Sequence, residues 1–154
     1  MKTILTLCMI YNDTHILLGR KKRGLGTGFW NGFGGHVEDG EAIADAAVRE
    51  VKEEAGIMPR DVQHRGVLDF EIATHPELLQ VHVFSAQEFK GEPRETGEME
   101  PRWFTHREIP FDQMWKDDRY WLPLLLQGNN FEGAFYFKDN DTLVNHVITE
   151  IGRN

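Results

Sequence analysis

Glu50, Glu53 and Glu54 are the first residues whose spacing suggests chemistry. On a helix at about 100° per residue they fall near 0°, 300° and 40°, on one narrow face. Like charges three and four residues apart cost a few tenths of a kcal/mol per pair. A hard divalent cation would neutralise such a cluster, because Mg²⁺ prefers carboxylate and water oxygens. From these residues alone, a solvated acidic helix face is the favoured reading. Two neighbouring features bear on the choice. Phe33-Gly34-Gly35 precedes the helix, and glycines let a backbone approach a phosphate or offer a carbonyl to a metal where a side chain would clash. Glu41 and Arg49 are spaced to pair along the start of the helix.

A second constellation is Trp115 beside Asp117-Asp118. A pocket for a flat ligand needs a flat apolar wall and a few placed polar groups. Two adjacent carboxylates in a dry pocket resist ionising together, so one stays protonated and can donate a hydrogen bond. The same residues also fit a core tryptophan followed by helix-capping aspartates. Taken singly, Asn31 is an ordinary loop residue, and Glu98 is one of several loop acids with Glu92, Glu95 and Glu100. Seven histidines are scattered without a spacing such as His-Glu-x-x-His. Cys8, in an apolar run without activating neighbours, reads as a buried structural thiol.

These residues need elements to position them. Leu5, Leu7 and Met9 alternate with Ile4, Thr6 and Cys8 in a β-prone run. Asn12-Asp13-Thr14 reads as a turn, with Ile16 to Arg20 as the returning strand. Lys21 to Gly35, rich in glycine and aromatics, has no steady period and reads as a loop. Glu41 to Ala55 is helical in composition, with Gly56 as its stop and Pro59 beyond. Its expected core stripe is Ala44, Val48, Val51 and Ala55, bordered by the glutamates. Strands follow from Val62 to Phe89, where Leu68, Phe70 and Ile72 alternate with Asp69 and Glu71. Gly91 to Gly97 is a charged loop and Arg102 to Phe104 a short strand. Asp117 to Gln127 reads as a helix with a heavy apolar face. Phe131 to Phe137 and Leu143 to Ile151 form a closing hairpin. Asn-Asp-Thr occurs at Asn12 and Asn140, and turn chemistry explains both better than glycosylation.

The 154 residues suit a single domain, residues 1–154, large enough for a real core. Seventeen basic against 25 acidic residues leave a net charge of −8. That balance argues against a partner that is a nucleic-acid polymer, which needs a basic face. No apolar run approaches the roughly 20 residues of a membrane span, and no cleavage site follows Met1–Tyr11. One cysteine forms no internal disulfide. A cytoplasmic, monomeric protein is expected. A polyphosphate substrate would then need attraction from something other than net charge.

Gly35, Glu41 and the run Arg49-Glu50-Val51-Lys52-Glu53-Glu54-Ala55-Gly56-Ile57 match the 23-residue Nudix box at all nine specified positions. The chain is therefore identified by resemblance as a member of the Nudix hydrolases. This implies an α/β (α+β) fold, a mixed β-sheet sandwiched between helices, and hydrolysis of a nucleoside diphosphate linked to a further group. Within the family the chain is similar, nearly end to end, to the animal MutT homologues. Lys21-Lys22-Arg23-Gly24, Phe29 to Gly35, Pro76-Glu77-Leu78, Val81 to Phe84, Glu98-Met99, Trp103-Phe104, Ile109-Pro110-Phe111, Met114 to Asp118 and Tyr120 to Gln127 carry that likeness. It implies Mg²⁺-dependent conversion of oxidised purine nucleoside triphosphates, such as 8-oxo-dGTP and 2-oxo-dATP, to monophosphate and pyrophosphate, with Mn²⁺ as a substitute ion. An undamaged or methylated purine dNTP, or a dinucleoside polyphosphate, is the alternative substrate. A nucleotide-sensing module is disfavoured because every box glutamate is kept.

By the same resemblance, Gly34, Glu50, Glu53, Glu54 and Glu98 surround the metal, with the general base among Glu50, Glu54 and Glu98. Arg49 orients the glutamates through Glu41. Asn31, Asp117 and Asp118 read the base edge, and Trp115 and Phe70 wall it. Thr6, Lys21, Phe33, Gly35, His36 and Lys116 complete the substrate-binding set. Lys21 and Arg23 would offset the acidic site. The chain departs from that branch at His36, where relatives carry Lys, which bears on a phosphate contact. Leu25 in place of Phe and Arg20 in place of Met bear on the pocket rim.

Overall fold

The computed structural model describes residues 2–153. Its main element is a mixed eight-stranded sheet. Strand β1 (Lys2–Tyr11) runs parallel to β6 (Leu78–Ala86), in register from Lys2↔Leu78 to Ile10↔Ala86. On the far side of β6 comes β5 (Gln63–Ile72), antiparallel to it and parallel to β9 (Asn129–Asp139). The hairpin partner of β9, β10 (Thr142–Arg153), forms one edge. A separate two-stranded ladder joins β4 (Met58–Arg60) to β7 (Glu88–Lys90).

The other side of β1 is where the sheet opens. Strand β2 (His15–Lys21) pairs with β1 only at Ile10↔Leu17 and Tyr11↔Ile16. Along its whole length β2 also pairs with β8 (Met99–Thr105), and at Gly19 and Arg20 it pairs with the short β3 (Trp30–Asn31) instead of β1. The freed backbone of β1 must still find partners. The glycine-rich segment supplies them: Cys8 N–H donates to Phe33 O at 2.6 Å, Thr6 N–H to Gly35 O at 2.9 Å, and Val37 N–H to Ile4 O at 3.1 Å. The loop read from the sequence is thus a short strand followed by a segment laid along β1.

Because β1 is central, its alternation feeds two cores. Cys8 and Ile10 pack with Leu17, Phe33, Phe84 and the helix α1 (Ile43–Ala55) through Ala47, Val51 and Ala55. Met9 faces the opposite layer, with Leu68, Val83, Phe131, Phe135 and the helix α2 (Asp118–Leu126) through Trp121, Leu122 and Leu125. Helices therefore cover both faces, as expected. Gly56 ends α1 at φ 74°, its N–H donating to Lys52 O. The Asn12 side chain accepts from the N–H groups of Thr14 and His15, and Asp139 accepts from Asp141 N–H, so both Asn-Asp-Thr triplets lie in turns.

One expectation is corrected. The buried residues of α1 are Ala46, Ala47, Val51, Glu54 and Ala55, while Ala44 is exposed and Val48 half-buried. The core stripe is rotated towards the glutamates, and Glu54 lies within it rather than at its border. Alanines at 46 and 47 allow close approach to the sheet. The exposed backbone of the glycine segment admits a carboxylate there.

Candidate active site

Gly34 and Gly35 are packed where no side chain fits. A Cβ on Gly34 would stand 1.8 Å from the carbonyl oxygen of Thr6, and one on Gly35 would stand 2.6 Å from the Glu50 carboxyl. The first glycine lets the segment lie on β1, and the second lets α1 bring Glu50 against it. The Gly34 N–H then donates to Glu54 Oε1 at 2.9 Å. Glu54 is only 7% exposed. Burial pushes its carboxyl up to about 8, the nearby Glu50 charge adds to this, and the Gly34 hydrogen bond opposes it. Glu50 is raised too, first by burial, against the pull of Arg49.

Arg49 is the hub of the carboxylates. Its guanidinium donates to Glu41 at 2.8 and 3.0 Å, to Glu50 at 3.0 Å and to the His36 carbonyl at 3.0 Å. Its contact with Glu53 is looser, at 3.4 Å, and the Glu53 side chain is 57% exposed. Glu98, on the loop before β8, is bonded to Arg23, which holds its carboxyl below the usual range. Among the described residues no three acidic, histidine or cysteine side chains converge into a ready-made metal cage. The donors nonetheless suit a hard divalent ion. They are all oxygens, and two are partly desolvated carboxylates, which burial makes costly to ionise without a nearby cation.

A cavity of about 280 Å³ opens beside Glu54. Thr6, Lys21, Asn31, Gly34, Gly35 and His36 line it, as do Phe70, Trp115, Asp117 and Asp118. The structure thus gathers most of the expected substrate-binding set around one space. Trp115 is held edge-on by Phe29 at 5.6 Å and Phe137 at 5.5 Å, and Phe70 stacks on Phe135. Gly26 makes room for the tryptophan, since a Cβ there would meet its indole nitrogen at 2.8 Å.

Asp117 and Asp118 are 3% and 2% exposed. Trp121 Nε1–H donates to Asp117 Oδ2 at 2.8 Å, whereas Asp117 Oδ1, Asp118 Oδ2 and Thr6 Oγ1 are buried without a partner. Desolvation pushes Asp117 up to about 6 and Asp118 well above its usual range, and the charge of Asp117 adds to the rise at Asp118. Two buried carboxyls so placed resist ionising together.

Two expected substrate-binding residues lie elsewhere. Phe33 is completely buried in the α1-side core, because the segment pairs with β1 and turns that ring away from the cavity. Lys116 points to the β9–β10 turn, 3.5 Å from Asp141. Arg20 stacks over Trp30 and pairs with Glu100, while Leu25 does reach the cavity. Sequence reading missed the apolar lining: Leu5, Leu7, Ile72, Leu79 and Val81, together with His75 and Met99. The period-two pattern placing Leu5 with Leu7, and Phe70 with Ile72, was the available signal.

The NUDIX domain description matches residues 1–125. A mouse oxidized purine nucleoside triphosphate hydrolase is 47% identical over 95% of this chain and 94% of its own length. A zebrafish protein of the same description is 46% identical over 96% and 95%. Among solved structures, the MutT protein of Bacillus halodurans shares the fold at a TM-score of 0.85 and 24% identity, over 95% of this chain and 97% of its own. A MutT NUDIX hydrolase of Burkholderia pseudomallei superposes at 0.68 with 31% identity, over 71% and 88%. A glycine segment seated on β1, a helix that turns its glutamates toward it and these likenesses together show that the chain belongs to the Nudix family of hydrolases.

Proposed function

We propose that the protein hydrolyses oxidised purine nucleoside triphosphates to the monophosphate and pyrophosphate, with Mg²⁺ as its ion and Mn²⁺ as a substitute. The observation that carries this reading is the buried Asp117–Asp118 pair, whose free oxygens lie at a cavity walled by Trp115 and Phe70. Buried polar atoms without partners are rare in folded proteins, and a ligand edge that donates and accepts would satisfy them. Asp117 offers an acceptor, and a proton retained by the pair offers a donor. Asn31 lines the same cavity. The mouse and zebrafish relatives named for this activity support the choice of base.

Glu50 and Glu54, with the Gly34 carbonyl, are the residues we assign to hold the ion, joined by Glu53 and Glu98 once these leave Arg49 and Arg23. A bound Mg²⁺ polarises phosphate oxygens and lowers the pKa of a water. Glu50, Glu54 and Glu98 are the candidate general bases. Arg49 keeps Glu41 and Glu50 in place, and Lys21 meets the phosphate chain. His36, at the cavity mouth, is assigned to that chain as well. The same reading takes the enzyme as a cytoplasmic monomer that acts on free nucleotides.

The test is kcat/KM for 8-oxo-dGTP and 2-oxo-dATP against dGTP, in wild type, Asp117→Asn and Asp118→Asn, across pH. A buried group left unpaired by a wrong base costs about 1–3 kcal/mol, or roughly 5- to 150-fold in relative kcat/KM. Selectivity should shift by that amount and part of the pH profile should flatten. A uniform loss on all three substrates in both variants would assign the pair to helix support. The substrate would then be another nucleotide.

A further inference from the structure

On the sheet face opposite the cavity, two imidazoles meet across β5 and β6. Val81 lines the cavity, so His82, one residue further along β6, projects from the other face. His64, on β5, lies opposite Phe84 in register. Its Nε2 stands 3.1 Å from His82 Nδ1. The ring planes are inclined by 54°, so the rings do not stack. Each ring is also oriented by a further neighbour. His64 meets the Phe84 ring at 87° with centroids 5.2 Å apart. His82 Nε2 lies 3.2 Å from Gln80 Oε1, and Gln80 Nε2 donates to Asp69 Oδ1 at 3.3 Å. An amide anchored on Asp69 thus presents its oxygen to His82. That oxygen only accepts, so the His82 proton sits on Nε2 and the Nδ1 lone pair faces His64. An outer N–H held by a carbonyl is the support usually found behind a metal-ligating histidine.

The separation suits an ion. With Zn–N bonds of about 2.0–2.1 Å, two nitrogens of a tetrahedral site stand about 3.3 Å apart. We propose that His64 and His82 form a second metal site, a two-histidine staple between β5 and β6 for a borderline divalent transition ion of the Zn²⁺ class. It differs in place and in donor chemistry from the all-oxygen glutamate site. Among the described residues no third histidine, cysteine or carboxylate completes the set, so water fills the remaining positions. Partial desolvation lowers the proton affinity of both rings, which favours their neutral, ligating form near pH 7. Lys2 and Asp69 are the charged groups that act on His82, in opposite directions.

The experiment titrates the full chain with Zn²⁺ in excess Mg²⁺, which occupies the carboxylates. It reads calorimetric uptake, melting temperature and the NMR signals of the ring nitrogens. The expected result is one Zn²⁺ per chain, a rise in melting temperature from binding to the folded state alone, and shifts at His64 Nε2 and His82 Nδ1. His64→Asn and His82→Asn should each weaken uptake at least about tenfold, since even an outer partner of a ligand is worth 10- to 100-fold. His64 is exposed, so its variant should melt like wild type without Zn²⁺. Uptake that survives both substitutions, or ring signals unmoved by Zn²⁺, would overturn the site and leave a hydrogen-bonded histidine pair.

Discussion

Glu53 and Glu54 sit one residue apart and differ in almost everything their surroundings can set. Glu53 is mostly exposed and tied only loosely to Arg49. Glu53→Gln should therefore leave the melting temperature unchanged while turnover at saturating Mg²⁺ falls at least about 10²-fold, the scale of losing a key electrostatic group. Full activity in that variant would remove Glu53 from the metal set. Glu54 is buried, and its carboxyl is raised to about 8. In the folded, ion-free chain it holds a proton that the unfolded chain releases in the ordinary carboxylate range. Stability of the ion-free protein should then be greatest below that range and fall as pH climbs towards about 8. Asp117, raised to about 6, adds a decline of the same sign at lower pH. Melts from pH 5 to 8 check this: Glu54→Gln should flatten the upper part of the decline, and an unchanged slope would contradict it.

Between elements, the decisive contact is the glycine segment on β1. It satisfies backbone groups of β1 that β2 abandons, and it presents the Gly34 N–H to α1. Gly34→Ala would drive a methyl into the Thr6 carbonyl. Backbone cannot yield there without breaking the pairing. A loss of about 2–3 kcal/mol is expected, which for a chain of this size lowers the melting temperature by roughly 4–12 °C. Gly28→Ala is the control within the same loop region, since no atom stands within 4 Å of its added Cβ. It should cost only the strain of its positive φ, 90°.

Across the molecule, Arg65 joins the elements that frame the cavity. It is 1% exposed and donates to Tyr11 Oη on β1, Ser85 Oγ on β6, Leu125 O at the end of α2, and Asn129 O and Asn130 Oδ1 on β9. No carboxylate is among these partners. The charge is spread over neutral oxygens and the carbonyl end of a helix, where a cation is favoured. Arg65→Met should strand these acceptors and cost about 3–5 kcal/mol. Chemical denaturation would measure it, and a loss below about 1 kcal/mol would make the network dispensable.

The glutamate spacing, the stop at Gly56 and the alternation of the strands were legible in the residues, because a helix repeats every 3.6 residues and a strand every two. The box motif by itself points to the family, since its spacing places Glu50 and Glu54 together on α1. Tertiary packing settled what no local period can. Alanine is neutral about which face it buries, so the rotation of α1 that takes Glu54 into the core depended on the backbone laid along β1. Phe33 and Lys116 follow the same logic: pairing with β1 turned one into the core, and the β9–β10 turn drew the other aside. The two-histidine pair on β5 and β6 was invisible for a related reason. Residues 18 apart in sequence become neighbours only through strand register, which long-range pairing sets.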